Sequence, residues 1–255
     1  MVVNYRFFVL GKDAEDFSFS SNVKGNKMNK QKKISKETKN LCGMAMFVAL
    51  SVVASFLTMG IQIGHLTFDA KDAVITIAAY IYGPISGIIM SVISATAESL
   101  MTGFKTGAIG WLMDILSSAT FAFSAALIYK HKRSFSGALI SIGGASVIMV
   151  SLMMVFNMVF SPMFFGASPF DPGIMKDIPI LYLPFNISKA LMNSAIVMYL
   201  YKPATFALAK AKLLDGDEKT SFAFNKNSIV TLICGIVAII ASVAIYLALF
   251  FANQK

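Results

Sequence analysis

The division of this chain into long apolar blocks constrains its fold more than any other feature of the sequence. Seven blocks alternate with short polar segments and cover residues 41–63, 73–82, 85–101, 108–129, 138–160, 180–201 and 229–252. A helix needs about 20 residues to cross the hydrocarbon core of a bilayer, and most of these blocks reach that length. Charged residues make up only 14% of the chain, whereas soluble domains carry about 25%. The sequence therefore predicts an all-α integral membrane protein.

The order of the blocks indicates a core followed by an appended helix. We predict a six-helix core over residues 41–208 and an additional transmembrane helix in 229–255, joined by a polar linker at 209–228. The second block, 73–82, is short for a span, so its helix is expected to be partly recessed in the bundle. Residues 1–40 form a basic segment in which we see no cleavable signal peptide.

Basic residues cluster beside the apolar blocks and give the chain a net charge of +9. The clusters lie at residues 24–39, 130–133 and 202–226, which is before the first block, after the fourth and after the sixth. Because basic residues concentrate in cytoplasmic loops, this placement predicts a cytoplasmic N-terminus and outer loops at 62–72, 102–107 and 162–179. It also explains the positive charge better than nucleic-acid binding does, since the clusters flank membrane segments.

Motifs of catalysis are missing from the sequence. The phosphate-binding pattern GxxxxGK[ST] does not occur, nor do HExxH and GxSxG. His65 and His131 are the only histidines and fall on opposite predicted sides of the membrane, while Cys42 and Cys234 have no metal-ligand spacing. We therefore expect no enzyme, no metal and no cofactor, and any ATP-driven transport would need a partner that hydrolyses ATP.

Several polar side chains fall inside the predicted spans, where they are costly and normally face the bundle interior. They are Glu98, Asp114, Asn157, Asn186, Lys189 and Asn193. The spacing of Asn186, Lys189 and Asn193 places them on one helix face, as a ligand site open to the outer side would require. The alternative is structural: Lys189 pairs with Asp114 or Glu98 only to hold helices together, and the asparagines join helices through hydrogen bonds.

Two further segments each have two interpretations. Ala45 and Ala49 are four residues apart in the first block, a spacing that lets another helix approach closely. The approaching helix could belong to another membrane subunit or to this bundle. The loop 62–72 mixes apolar and polar residues, which suits either a lid over a pocket or an interfacial loop. Within it, Asp72 is predicted to cap the second helix.

Four short stretches together resemble one family, the substrate-binding S components of energy-coupling factor (ECF) vitamin transporters. They are FDAKD at 68–72, YGPISG at 82–87, FN at 156–157 with Pro162 downstream, and LPFNISK at 183–189. The resemblance covers about residues 41–208. GPxxG is shared across S components, whereas LPFNxxK together with the asparagine of the fifth helix is more specific and is similar to the riboflavin-specific members.

The resemblance implies a six-helix bundle in the bacterial cell membrane whose vitamin pocket opens outward. It further implies docking on a transmembrane coupling subunit driven by two ATPases, through small residues such as Ala45 and Ala49. Asn157 and Lys189 match positions that hydrogen-bond riboflavin in riboflavin-type members. The candidate substrate-binding set is Phe68, Asp69, Glu98, Asp114, Asn157, Asn186 and Lys189. The expected substrate is riboflavin or a close flavin; the alternatives are another vitamin or precursor, or a membrane scaffold without a ligand.

The sequence departs from the riboflavin type at three places. Ala73-Val74 follows Asp72, where Ile-Pro is usual. Glu98 and Asp114 place acids where other polar residues are expected. The seventh apolar block does not belong to the basic pattern of the family. These departures concern the ligand more than the family.

Overall fold

The computed structural model of the chain describes residues 37–63, 66–131 and 134–210, together with most positions from 236 to 251. Predictions about most of the basic N-terminal segment, most of the linker 209–228, His65 and Cys234 lie outside these residues. The chain divides into two compact units, residues 1–43 and 44–255. The first is described only at 37–43, the beginning of a helix, and all contacts given below are within the second.

The described residues form a helical bundle with one small hairpin. In chain order the elements are α1 (Glu37–Thr58), β1 (Gln62–Ile63), β2 (Leu66–Thr67), α2 (Lys71–Tyr82), α3 (Pro84–Met101), α4 (Gly107–Tyr129), α5 (Phe135–Phe164), α6 (Pro172–Met175), a π-helical turn (Ile178–Tyr182) and α7 (Leu183–Lys210). Among the described residues, five segments are long and apolar enough to cross a membrane: Glu37–Thr58, Pro84–Met101, Gly107–Tyr129, Ser136–Phe164 and Pro172–Tyr201. The prediction of an all-α membrane bundle is confirmed.

The short helix α2 lies at the centre of this bundle. It has 12 residues, of which Lys71 through Tyr80 are all buried, and it contacts α3, α4 and α7. Small side chains allow this close packing: a Cβ added at Gly87 of α3 would lie only 2.9 Å from the Cβ of Ala79. The brevity of block 73–82 thus reflects a helix enclosed by its neighbours.

The connection from α2 to α3 is the tight turn that Gly83 and Pro84 predict. Gly83 has φ of 99°, a conformation that residues with a side chain rarely adopt. Pro84 occupies the first turn of α3, where its missing N–H would have no helical partner in any case. The backbone N–H of Gly83 also donates to the carbonyl oxygen of Ala79 at 2.9 Å, which closes the end of α2.

Helix α5 continues past its predicted end at residue 160 and includes Pro162. Proline has no N–H to offer the carbonyl of Met158, and the N–H of Phe170 donates to that oxygen instead at 3.2 Å. The helix then ends in a glycine-based cap: Gly166 has φ of 75°, and the N–H of Ala167 donates to the carbonyl of Pro162 at 2.9 Å. Pro162 therefore fixes where α5 stops and where the chain turns back.

Three other predicted boundaries differ from the structure. Helix α1 ends at Thr58 instead of residue 63, because the hairpin begins at Gln62. Helix α2 begins at Lys71, and its N-cap residue is Ala70 with no side-chain hydrogen bond. The prediction that Asp72 caps this helix is therefore wrong. Helix α7 continues to Lys210, past the expected end of the core at residue 208.

The last apolar block is helical at every position described between 236 and 251, and it packs against α7. The hydroxyl of Ser188 donates to the carbonyl of Ser242 at 2.8 Å, and the hydroxyl of Ser242 donates to the carbonyl of Ser188 at 3.0 Å. Both serines are buried. Two polar residues satisfying each other in an apolar surrounding fix the register between the two helices.

Candidate functional site

A cavity of about 470 Å³ lies inside the bundle, beside the β-hairpin. Residues of α1, the hairpin, α3, α4, α5 and α7 line it. Its volume is within the range of roughly 300–1,000 Å³ that is usual for small-molecule pockets. Its wall combines apolar side chains, such as Met153 and Phe160, with several charged and amide groups.

Six of the seven predicted substrate-binding residues line this one cavity. They are Phe68, Glu98, Asp114, Asn157, Asn186 and Lys189, although they come from four helices and a loop. Asp69 is not on the wall; it is 3% exposed and lies behind the cavity among the ionic contacts of α2. The fold thus brings together side chains that lie up to 121 positions apart, between Phe68 and Lys189.

The ammonium group of Lys71 is the centre of the largest ionic cluster. It lies 2.5 Å from a carboxylate oxygen of each of Asp69, Glu98 and Asp114. Its side chain is 0% exposed. The three carboxylates come from the loop before α2, from α3 and from α4, so one ammonium joins three separate elements. Lys71 was expected only as a residue of an outer loop.

Lys189 has a different partner from those considered above. Its Nζ lies 3.2 Å from Oδ2 of Asp72, and the hydroxyl of Ser118 donates to the other oxygen of that carboxylate. The suggestion that Lys189 pairs with Asp114 or Glu98 is therefore wrong. Both of those acids are taken by Lys71, which reaches them from the first residue of α2.

The two asparagines on the wall make hydrogen bonds within their own helical segments. The amide of Asn157 donates to the carbonyl of Met153 at 2.7 Å, and its oxygen accepts from Ser161 at 3.1 Å. The amide of Asn186 donates to the carbonyl of Tyr182 at 2.8 Å. These contacts orient the side chains and do not join α5 to α7, so the interpretation of the two as links between helices has no support here.

Asn193, the third polar residue of this helix face, does join two elements. Its amide donates to the backbone carbonyl of Asp69 at 3.0 Å, which ties α7 to the loop that precedes α2. It is 0% exposed and is not among the residues that line the cavity. On the polar face of α7, Asn186 and Lys189 therefore line the cavity, whereas Asn193 binds the loop before α2.

The hairpin and the residues after it cover one side of the cavity. Gln62 pairs with Thr67 and Ile63 with Leu66 in an antiparallel register. Phe68 follows, 2% exposed, and its ring contacts that of Phe185 edge to face with centroids 5.3 Å apart. The loop is held as a cover by this aromatic contact and by the ionic contacts of Asp69.

Ser117 and Lys71 are two residues with a chemical role at the site that were not predicted. Ser117 lines the cavity at 2% exposure, and its hydroxyl has no hydrogen-bond partner among the described residues. Lys71 neutralises the acids of the wall. A signal existed for Lys71, because a lysine between Asp69 and Asp72 beside an apolar helix must find counter-charges when buried. Nothing in the sequence distinguishes Ser117 from the other serines of the spans.

The predicted docking residues lie on the outer surface of α1. Ala45 and Ala49 are both exposed, and the large apolar residues on the same helix, among them Leu50 and Val53, are 50% and 57% exposed. Packing within the described bundle therefore does not account for these alanines.

Comparison with known proteins agrees with this architecture. The chain is 27% identical over 183 residues to the riboflavin transporter RibU of Staphylococcus aureus. The aligned region covers 69% of this chain and 95% of the relative. It is 24% identical over 143 residues to the riboflavin transporter FmnP of Bacillus subtilis, covering 54% of this chain and 75% of the relative.

A solved structure shares the fold. It is described as the S component of a bacterial ECF transporter, and it superimposes with a TM-score of 0.57 and 24% identity over 68% of this chain and 98% of the other. A family model for the substrate-specific component of ECF transporters matches residues 39–201, which include the whole of the cavity wall. The chain is thus a member of the family of membrane-embedded, substrate-specific components of ECF transporters.

Proposed function

We propose that this chain captures riboflavin, or a closely related flavin, from outside the cell and delivers it inward as part of an ECF transporter. The observation that carries the proposal is the cavity of about 470 Å³, in which Asn157, Asn186 and Lys189 share a wall with apolar and aromatic side chains. The similarity to two riboflavin transporters supports the choice of ligand.

The wall suits a flavin ring chemically. A flavin presents carbonyl and nitrogen acceptors along one edge, and an ammonium group and amide groups are the donors that such an edge requires. Apolar and aromatic side chains of the wall, including Met153, Phe160 and Phe164, provide surface for the flat ring. An ammonium group carries three N–H donors, and the contact of Lys189 with Asp72 is an ion pair at 3.2 Å, so Lys189 can also donate hydrogen bonds to a ligand.

In the proposed cycle the hairpin side of the cavity faces the outside and the N-terminus faces the cytoplasm. Ligand enters beside the hairpin, and the loop carrying Phe68 closes over it. A transmembrane coupling subunit with two ATPases then drives release inward. The exposed alanines Ala45 and Ala49 on α1 supply the surface on which the coupling subunit docks.

The direct test is a titration of riboflavin fluorescence with the purified protein in detergent. We expect saturable quenching by the parent and a large loss of affinity in Lys189→Met. The matched control is Lys176→Met, because Lys176 is exposed and is not on the cavity wall. A folded parent that does not quench riboflavin would contradict the ligand assignment.

The second candidate ligand is another vitamin or precursor. The acidic side chains on the cavity wall are the observation that supports this alternative. Glu98 and Asp114 are charged groups at positions where the resemblance to riboflavin-type members predicts other polar residues. Competition of unlabelled vitamins against riboflavin separates the two candidates. A scaffold without any ligand predicts that Lys189→Met leaves function intact, which uptake by whole cells would reveal.

A further inference from the structure

The wall formed by α3 and α4 has hydrogen-bonding capacity that the protein itself does not use. Lys71 engages Oε2 of Glu98 and Oδ2 of Asp114. The second oxygen of each carboxylate has no hydrogen bond among the described residues. The two side chains are 19% and 24% exposed, and both line the cavity. Two acceptor oxygens are therefore available to a bound ligand.

Ser117 provides an independent sign that a ligand binds at this wall. It lies one helical turn after Asp114 on α4 and lines the same cavity. It is 2% exposed, yet its hydroxyl has no hydrogen-bond partner in the described part of the chain. A buried hydroxyl without a partner costs free energy, so this group is expected to be satisfied by something in the cavity.

The charges around the cavity determine what kind of group fits there. The buried contacts join two ammonium groups, those of Lys71 and Lys189, to four carboxylates, so negative charge is in excess within this cluster. Lys105 also lines the cavity, but it is exposed and has no part in these ion pairs. The carboxylates are those of Asp69, Asp72, Glu98 and Asp114. Free carboxylate oxygens accept hydrogen bonds from O–H and N–H donors and repel anions. The part of the wall at Glu98 and Asp114 is thus complementary to neutral hydroxyl groups and unsuited to a phosphate.

We propose that Glu98, Asp114 and Ser117 form a subsite for the hydroxyl groups of the ligand, separate from the groups that take its ring. For a flavin, those hydroxyls are the polyol side chain. This inference rests on the proposed function and specifies how the site chooses among flavins. The subsite selects riboflavin over a flavin that lacks the polyol chain, and it disfavours riboflavin whose chain ends in a phosphate.

The size of the effect follows from the type of hydrogen bond. Losing one hydrogen bond to a charged group costs roughly tenfold to a hundredfold in affinity. A ligand without the polyol chain would leave two carboxylate oxygens and a buried hydroxyl unpaired, and sites built around hydroxyl groups reject such analogues strongly. We therefore expect the parent to bind riboflavin at least about a hundredfold more tightly than lumiflavin, which carries a methyl group in place of the chain.

The experiment compares riboflavin, lumiflavin and flavin mononucleotide by fluorescence titration on the parent and on Glu98→Gln, Asp114→Asn and Ser117→Ala. Glu98→Gln and Asp114→Asn are expected to weaken riboflavin binding about tenfold or more, and Ser117→Ala by about twofold to tenfold because its hydroxyl is neutral, while lumiflavin binding stays unchanged. Glu98→Gln and Asp114→Asn should also narrow the gap between riboflavin and flavin mononucleotide. Ser117→Ala leaves every charge in place, so it tests the subsite even if the charge variants fail to fold.

Two results would overturn the subsite. Equal binding of riboflavin and lumiflavin by the parent would do so while leaving the flavin assignment standing. So would a Ser117→Ala variant that weakens both ligands equally, compared with the exposed-site control Ser168→Ala. If the folded parent binds none of the three flavins, the proposed function itself fails and the subsite fails with it.

Discussion

Nζ of Lys189 lies 3.2 Å from Oδ2 of Asp72, and this ion pair joins the cavity wall on α7 to the buried helix α2. The pair is enclosed: the side chain of Lys189 is 7% exposed and that of Asp72 is 0% exposed. Removing one partner of such a pair leaves an uncompensated charge in the interior. The same lysine therefore contributes to folding and to the proposed binding site, and variants must separate the two roles.

The first prediction concerns this pair. Asp72→Asn should destabilise the fold by about 3–5 kcal/mol, because the ammonium of Lys189 loses its counter-charge. The double variant Asp72→Asn with Lys189→Met should recover part of the loss, since neither charge then remains. The measurement is the unfolding transition in detergent, with Asp177→Asn as an exposed control. If the double variant were less stable than Asp72→Asn, the explanation by unpaired charge would fail.

Lys71→Met should be more damaging than any other lysine substitution among the described residues. It leaves the carboxylates of Asp69, Glu98 and Asp114 facing one another without the ammonium that separates them. We expect loss of folded protein or a melting temperature well below that of the parent, measured after purification in detergent. Lys105→Met, at an exposed position, is the control. A Lys71→Met variant as stable as this control would contradict the assigned contacts.

Phe68→Ala should speed the release of ligand. The ring of Phe68 is packed against Phe185 and lines the cavity, so its removal loosens the loop that covers the site. We expect dissociation of riboflavin to accelerate by about tenfold, in line with the roughly 0.5–1.5 kcal/mol of an aromatic contact plus the lost burial. Stopped-flow fluorescence measures this rate. Phe170→Ala, at a ring that is 58% exposed, should leave it unchanged.

A bulky substitution at Ser242 should show whether the last helix supports the core. Ser242→Leu removes the hydrogen bond that the Ser242 hydroxyl donates to the carbonyl of Ser188, and it inserts a larger side chain into a buried contact. We expect a lower melting temperature and separation of the last helix from α7, detectable by increased proteolysis of the linker. Val243→Leu, at a neighbouring exposed position, is the matched control. Equal melting temperatures for the two variants would mean that the serine contact does not stabilise the core.

Large residues at Ala45 or Ala49 should prevent assembly without affecting ligand binding. Both alanines are exposed, so tryptophan fits there in the isolated protein, but it would hold a partner helix away. We expect Ala45→Trp and Ala49→Trp to quench riboflavin as the parent does and to abolish uptake in cells that supply the coupling subunit and ATPases. Ile140→Trp, at an exposed position of α5, controls for bulk alone. Normal uptake by both alanine variants would refute this docking surface.

The membrane helices could be predicted from the sequence because the apolar character of each span is summed over many residues. Each of the five spanning segments contains a long run of apolar residues, so an error of a few positions changes only where it ends. The ends depend on single interactions. Helix α1 stops early because a hairpin forms after it. Helix α5 continues past Pro162, which has no N–H to donate to the carbonyl of Met158, because the N–H of Phe170 donates to that carbonyl instead.

The sequence indicates which polar residues face the bundle interior, but it does not indicate which of them form ion pairs with each other. Polar side chains in a membrane segment must face the interior, which identifies Asn157 and Lys189. Which acid meets which lysine depends on how α2 is rotated, and no periodicity specifies that. Because the helix begins at Lys71 instead of Ala73, Lys71 and Asp72 both enter the core. Lys71 then pairs with Glu98 and Asp114, the two acids suggested for Lys189. Lys189 pairs with Asp72 instead.

The shared ammonium of Lys71 has a consequence for hydration of the site. Asp69 in the covering loop and Glu98 and Asp114 on the wall all use this one counter-ion. Lifting the loop would withdraw one carboxylate and expose the ammonium, a change that becomes tolerable only when water enters to solvate both groups. Entry of water into the cavity and opening of the loop are thus coupled. We therefore expect a ligand that displaces water from the cavity to stabilise the closed loop even without contacting it.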